Sequence, residues 1–288
     1  MELNQAEIET LRWTIVIGGS LAILALLCLV SKLWPGWLQK RDLTRFDLII
    51  AAAAALAIGA NSTNLWHEQE SVITAKFHQT YHDSWWSTAV RQTSWRGQPL
   101  LKTPLDLWVV QEIVHERTPD LVIETGTWQG GTAFYLASLF DLMGKGRVVT
   151  VDIEKFPTPE HPRIEYLMGS STAPEIFDQI RARIRPGERV MVTLDSDHSR
   201  EHVLAEMTLY SQFVTPGDYM IVEDTHLNGR PVRLGGGDPW AAVQEFLAEN
   251  DDFVADASRE KFGMSWNQGG WLRRVDDKEL ATNRDSRH

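Results

Sequence analysis

Leu121-Val-Ile-Glu-Thr-Gly-Thr-Trp-Gln-Gly-Gly-Thr-Ala-Phe-Tyr-Leu-Ala137 is the stretch whose reading decides the fold. Leu121 to Ile123 is short, apolar and partly β-branched, the pattern of a strand buried on both faces. Glu124 follows at its carboxyl end, and Gly126, Gly130 and Gly131 turn the chain into a helical pattern carrying Phe134, Leu136 and Leu139. Strand, glycine-rich turn and helix form the first half of a nucleotide-type site. Glycines let backbone approach a ligand closely, and a helix N-terminus offers N–H groups. The spacing is Glu-x-Gly-x-x-x-Gly, and no Gly-Lys-Ser/Thr follows, so a P-loop is excluded.

Outward from this stretch, strands and helices alternate. Arg147–Val151 reads as a second strand ending at Asp152, well placed to accept from a ribose hydroxyl. Ile164–Met168 is a third, ending in Gly169-Ser170-Ser171, with Pro174 opening a helix. Arg189–Leu194 is a fourth, ending at Asp195, with Val203–Phe213 as its helix. Tyr219–Val222 is a fifth, ending at Glu223-Asp224. After the glycine loop 235–237, Asp238-Pro239 reads as an N-cap and first helical residue for Trp240–Leu247. Phe262–Trp266 and Gly270–Val275 are expected to close the sheet as an antiparallel hairpin. The alternation predicts an α/β fold, Rossmann-like and doubly wound around a mostly parallel sheet.

Ligands of such sheets bind outside the carboxyl ends of the strands. Glu124, Asp152, Asp195, Glu223 and Asp224 all fall there. One acidic residue at a strand end is ordinarily a turn residue or helix cap. Five in succession, with no Lys or Arg partner in view, would repel one another unless a cation sits among them. All-oxygen ligands suit Mg²⁺, and Asp195, Glu223 and Asp224 are the expected metal set. Such a metal would lower the pKa of a coordinated substrate hydroxyl. Asp195 and His198 are therefore the expected catalytic residues, His198 as base one helical turn further on, with His226 as the alternative.

The acidic residue ahead of the first glycine resembles motif I of class I S-adenosylmethionine (SAM)-dependent methyltransferases. A wider resemblance runs from Trp95-Arg-Gly-Gln-Pro-Leu-Leu-Lys-Thr-Pro-Leu-Asp-Leu-Trp108 through Pro119–Gly131, Leu194-Asp-Ser-Asp-His-Ser199, Val222-Glu-Asp224, Ser258–Phe262 and Asn267–Val275. Over about residues 95–275 these motifs resemble the cephalosporin hydroxylase/rhamnosyl O-methyltransferase family, itself similar to catechol-type O-methyltransferases. The resemblance implies SAM and Mg²⁺ as cofactors. It implies Glu124, Gly126 and Asp152 against SAM with Gly169 and Ser170 near the adenine, Gly130 belonging to the same turn. It implies Asp195, Glu223 and Asp224 on the metal. Catechol-type enzymes carry a Lys three residues after the first metal Asp; here that position is His198.

The N-terminal region reads differently. Trp13 to Ser31 carries no charge and has the length of a membrane-spanning helix; Trp34, Pro35-Gly36 and Trp37 follow. Leu48 to Ala60, extended by uncharged residues to Trp66, is a second apolar run. Lys32, Lys40, Arg41 and Arg45 lie between the two and favour a cytoplasmic loop. The expected organisation is a membrane anchor region over 1–66 (span at 13–31, a second apolar helix at 48–66 left open) and a substrate-side connecting segment over 67–104. A SAM-dependent methyltransferase domain over 105–276 and a polar tail over 277–288 complete it. The catalytic domain is expected in the cytoplasm, membrane-anchored. Acceptor specificity is expected from 67–104 and 227–238.

The formal net charge of -11 argues against nucleic acid as partner, and the single cysteine, Cys28, excludes an intrachain disulfide. The expected partner is a small-molecule or lipid-linked hydroxyl acceptor, on a sugar, glycolipid or secondary metabolite, together with the membrane. Homo-oligomerisation is left open. Three other readings compete. Asp195-Ser196-Asp197 resembles the Asp-x-Asp motif of metal-dependent glycosyltransferases. His198 and His202 with a carboxylate have the spacing of an iron hydroxylase triad. A non-catalytic SAM-binding scaffold would keep the fold without needing all five carboxylates.

Overall fold

A computed structural model of the chain describes residues 72–84, 92–228, 230–233 and 237–276. The chain is divided at Ile73/Thr74, and apart from the first two residues of the first helix everything below belongs to Thr74–His288. A helix over residues 72–84 (α1) comes first. The hairpin β1 (Ser94–Trp95) and β2 (Gln98–Pro99) follows, then α2 (Pro104–Arg117), β3 (Leu121–Thr125), α3 (Gly131–Met143), β4 (Arg147–Asp152) and β5 (Ile164–Met168). The rest is α4 (Pro174–Arg181), β6 (Val190–Leu194), α5 (Arg200–Tyr210), β7 (Tyr219–Val222), α6 (Pro239–Glu249), β8 (Phe253–Ala255) and β9 (Trp271–Arg274).

Local chemistry sets these boundaries. Thr103 caps α2 by accepting from the Leu105 N–H, with Pro104 in the first turn. Asp238 does the same for α6 by accepting from Ala241, with Pro239 behind it. All five residues of β3 are buried. Their alternation sends Leu121 and Ile123 to one face of the sheet and Val122 to the other. The first face packs under α4, α5 and α6 through Ile176, Ile180, Val203, Met207, Ala242 and Phe246. The second packs under α2 and α3 through Val109, Ile113, Ala133, Leu136 and Phe140. A strand covered on both faces is the physical meaning of its uninterrupted apolar run.

The main sheet has seven strands in the order β5-β4-β3-β6-β7-β9-β8. Neighbours from β5 to β7 pair in parallel, while β9 pairs antiparallel with both β7 and β8. The doubly wound, mostly parallel α/β sheet read from the sequence is therefore present. The expected closing hairpin is corrected: residues 262–266 form no strand, and the antiparallel partner of β9 is β8. Chain order reverses between β3 and β6, so a crevice opens at that switch point. Hydrogen bonds past the regular pairing, Gly126 N to Val151 O (2.9 Å), Asp195 N to Thr125 O (3.0 Å) and Glu223 N to Leu194 O (3.0 Å), bring the carboxyl ends of β3, β6 and β7 to one level.

The expectation of a membrane-anchored chain with a cytoplasmic catalytic domain is corrected. Among the described residues no helix is long and apolar enough to cross a membrane. The runs behind that expectation, 13–31 and 48–66, lie outside the described residues, as does the tail 277–288.

Candidate active site

A cavity of about 890 Å³ lies over the carboxyl ends of the strands. Its lining falls into two halves. Over β4 and β5 are Trp128, Asp152, Ile153, Gly169 and Ser170; over β6 and β7 are Asp195, His198, Asp224, His226 and Leu227. Both segments expected to shape specificity contribute lining: His82 and Pro99–Lys102 from one, Leu227 from the other.

In the first half, Asp152 ends β4 and accepts from the backbone N–H of Trp128 (2.8 Å) and of Glu154 (2.9 Å). Both oxygens are fixed and keep lone pairs for a ligand. Gly130 caps α3 at φ 76° with no side-chain cap. Gly131 and Thr132, in its first turn, line the cavity, so N–H groups there are left for a ligand. Gly126 has a structural reason of its own. At φ 83° it lies so close to β6 that a Cβ would stand 1.9 Å from the Asp195 carbonyl oxygen. Glu124 lies beneath the cavity rather than in its wall: it is 1% exposed and accepts from Thr150 Oγ1 at 2.5 Å. Burial pushes its carboxyl up to about 8.

In the second half, Asp195, His198 and Asp224 bring ligand atoms within 4.8 Å of one another. His198 Nε2 is 3.2 Å from Asp224 Oδ2 and 3.5 Å from Asp195 Oδ1. Burial alone would lower its pKa, but its bond to Asp195 and the charge of Asp224 outweigh that and push it up to about 9. Glu223 is turned elsewhere, with Oε2 3.3 Å from Lys102 Nζ. Lys102 also reaches Asp195 Oδ2 at 2.7 Å. Desolvation opposes the Lys102 charge, yet Asp195, Glu223 and Asp224 together hold its pKa above the usual lysine value. This ammonium corrects the sequence reading, in which the carboxylates stood without a basic partner. Its only sequence signal was a lone charge in the apolar run Leu100-Leu101-Lys102-Thr103-Pro104.

The wall beyond these groups was not legible either. His226 stacks between His78 (5.2 Å between centroids, 12°) and Trp266 (5.1 Å, 12°), and His82 tilts against His226 and Trp266. Burial pushes His226 down to about 3 and His78 to about 4, so both rings are neutral. The Trp266 loop is held by Asp106, which accepts its backbone N–H at 2.9 Å. Trp95 packs edge-on to Tyr135 and donates its indole N–H to Ser138 Oγ at 3.0 Å.

Two competing readings lose their geometry. His202 faces Ser171 Oγ (3.1 Å) and Glu206 (3.4 Å) and does not join His198. Among the described residues, the group with metal-ligating geometry holds one histidine and two aspartates, not a two-histidine triad. Asp197 is tied to the Ser199 N–H at 2.6 Å and lies outside that group.

Strand order, switch-point crevice and carboxylate cluster define the chain as a class I SAM-dependent O-methyltransferase. Residues 87–275 match the family described as Rhamnosyl O-methyltransferase/CmcI, and the chain belongs to it. The Rhamnosyl O-methyltransferase of Mycobacterium leprae is 40% identical over 212 residues, 69% of this chain and 90% of that one. Its counterpart in Mycobacterium tuberculosis is 36% identical over 226 residues, 75% of this chain and 90% of that one. Among solved structures, apo CmcI is similar at a TM-score of 0.53 with 22% identity, covering 67% of this chain and 84% of that one. CmcI with Mg and SAM is similar at 0.51 and 21%, with the same coverage. At those identities the likeness concerns the fold.

Proposed function

We propose that the chain transfers the methyl group of SAM to a hydroxyl of a sugar-bearing acceptor, with Mg²⁺ as metal. The observation that carries this reading is the convergence of Asp195, His198 and Asp224 donor atoms within 4.8 Å at one end of the cavity that Asp152, Gly169 and Ser170 line at the other. Cofactor and acceptor thereby have separate places in one chamber. The relatives' names favour a rhamnosyl acceptor.

The donor set fits a hard cation. Asp195 and Asp224 would hold Mg²⁺, with Glu223 joining once its bond to Lys102 relaxes; His198 is a poor ligand for that ion. Mg²⁺ in this place supplies a Lewis acid that acidifies a bound hydroxyl. The chain's own residues do the rest. Asp152 accepts from the ribose, and Gly169 and Ser170 edge the adenine. Gly126 and Gly130 shape the turn, with Glu124 beneath them holding it through Thr150. Asp195 orients the reacting oxygen. The His198 imidazolium balances two carboxylates; with that charge supplied by a cation, its ring is released to accept the hydroxyl proton.

The test is calorimetry on the full chain. SAM should bind the wild type and the Asp195→Ala variant alike, whereas Mg²⁺ should bind only the wild type. Methylation of methyl α-L-rhamnopyranoside should then require both. A folded chain that binds no SAM sinks the reading.

A further inference from the structure

α5 presents His202, Glu206 and Tyr210 at i, i+4 and i+8, one face of the helix. All three reach segments that follow β5 or β6. Tyr210 donates its hydroxyl to the Ser171 carbonyl at 2.7 Å, and His202 Nε2 lies 3.1 Å from the Ser171 hydroxyl. Glu206 is fully buried, accepts from Ser196 Oγ at 2.6 Å and stands 3.4 Å from the same His202 nitrogen. The cluster is not a hydrolytic triad: Ser171 and Glu206 share one ring nitrogen, so no proton passes across the ring between them. It fixes an imidazole instead. Both contacts are made by Nε2, which leaves Nδ1 without a partner among the described residues. The side chain is 24% exposed and lines the cavity. Its bond to Glu206 raises the ring's pKa, against desolvation and with help from the charges of Glu206 and Asp197. That favours a ring with a proton on both nitrogens, and Nδ1 as a donor.

The order of the lining places this donor. Asp152 ends β4, and its carbonyl accepts the Gly169 N–H at 2.8 Å. Gly169, Ser170 and Ser171 continue the lining from there, and Ser171 meets His202. A nucleoside with its ribose at Asp152 and its base over Gly169 and Ser170 turns the far edge of that base toward His202. Adenine carries a bare acceptor, N1, on that edge; hypoxanthine carries N1–H. His202 stands outside the Asp195, His198 and Asp224 group, so the metal end of the cavity does not enter.

We infer that His202 is a specificity-determining residue for the cofactor: its Nδ1–H donates to N1 of the adenine, and Ser171 and Glu206 hold the ring for that contact. This rests on the methyltransferase reading above and deepens it. Selectivity follows because a base without the N1 acceptor leaves the donor unpaired.

The experiment is calorimetry on the full chain with three ligands. They are S-adenosylhomocysteine, its 1-deaza analogue, in which C–H replaces N1, and S-inosylhomocysteine, in which N1 carries a proton. The wild type should bind the adenosyl ligand about tenfold more tightly than the 1-deaza analogue, the worth of one hydrogen bond. The inosyl ligand should bind more weakly again, because donor faces donor. His202→Phe should lower affinity for the adenosyl ligand about tenfold and leave the 1-deaza affinity unchanged. His202→Gln, whose amide can donate, should recover part of the loss. Mg²⁺ affinity should be the same in all three proteins. Nitrogen-15 spectra of the wild type should show a protonated Nδ1 that shifts when the adenosyl ligand is added, a reading that needs no variant to fold. Equal wild-type affinity for the adenosyl and 1-deaza ligands, an equal loss for both in His202→Phe, or an unprotonated Nδ1 in the complex overturns the inference while leaving the functional reading intact. A folded wild type that binds none of the three overturns both.

Discussion

Lys102 Nζ lies 2.7 Å from Asp195 Oδ2 and 3.3 Å from Glu223 Oε2, a buried ammonium from the start of one helix set among carboxylates from two strand ends. Removing one partner of such a cluster leaves uncompensated buried charge, at a cost of about 3–5 kcal/mol. Lys102→Met should therefore lower Tm sharply in the absence of divalent cation. Added Mg²⁺ should return more stability to the variant than to the wild type, because the cation replaces the missing charge. Thermal melts of both proteins with and without Mg²⁺ check this, and equal Mg²⁺ shifts would contradict it.

His198 makes metal affinity depend on pH. Its pKa is raised to about 9 in the metal-free site. Its contribution to fold stability is fully present below about pH 6.5, the unperturbed histidine value, and is lost as pH rises through about 9. A cation entering Asp195 and Asp224 competes with that proton, so Mg²⁺ binding should release protons and tighten as pH rises toward 9. His198→Gln should flatten the profile and bind Mg²⁺ more tightly than the wild type at pH 7. Calorimetry in buffers of different ionisation enthalpy measures the proton release directly.

The difference between what was legible and what was not follows from how each residue is encoded. Asp152, Asp195 and Asp224 were readable because a buried strand announces itself by its apolar run, and the register then carries every strand end to one rim. Lys102 was not, because its partner Asp195 is 93 residues away and nothing local marks the pairing. The segment 262–266 has strand-like residues, but its backbone is tied by Asp106 to the start of α2, and Trp266 goes to stack on His226. Tertiary contact overrode pattern there. Glu124 was placed correctly on its strand, yet its bond to Thr150 keeps it under the floor.

Gly126 tests how tightly the floor is built. A Cβ at this position would stand 1.9 Å from the Asp195 carbonyl oxygen at a backbone φ of +83°. Gly126→Ala must displace β6 at the residue that carries the carboxylate cluster. The expected loss is about 3 kcal/mol, the upper end of strain at special backbone positions. Loss of Mg²⁺ binding should accompany it even where the variant still folds. Denaturant unfolding and calorimetry on one preparation separate the two effects, and an alanine variant with unchanged midpoint would contradict the close approach.

Asp106 gives a prediction of opposite sign to the usual acidic-to-neutral substitution. It is 3% exposed and accepts the Trp266 N–H at 2.9 Å. Burial raises its pKa to about 7, although hydrogen bonds from Trp266 and Ser265 oppose the rise. A folded-state pKa above the unfolded value of 3.8 means that the folded state binds the extra proton. Stability from this group is therefore lost as pH rises from about 4 to about 7. Asp106→Asn keeps an acceptor for Trp266 and carries no charge to desolvate. The variant should match the wild type near pH 4 and exceed it in Tm at pH 8, with the Trp266 loop and its stack on His226 retained. Paired melts across that range decide the matter. A variant less stable than the wild type at pH 8 would mean that the ionised carboxylate, not the neutral acceptor, holds the loop.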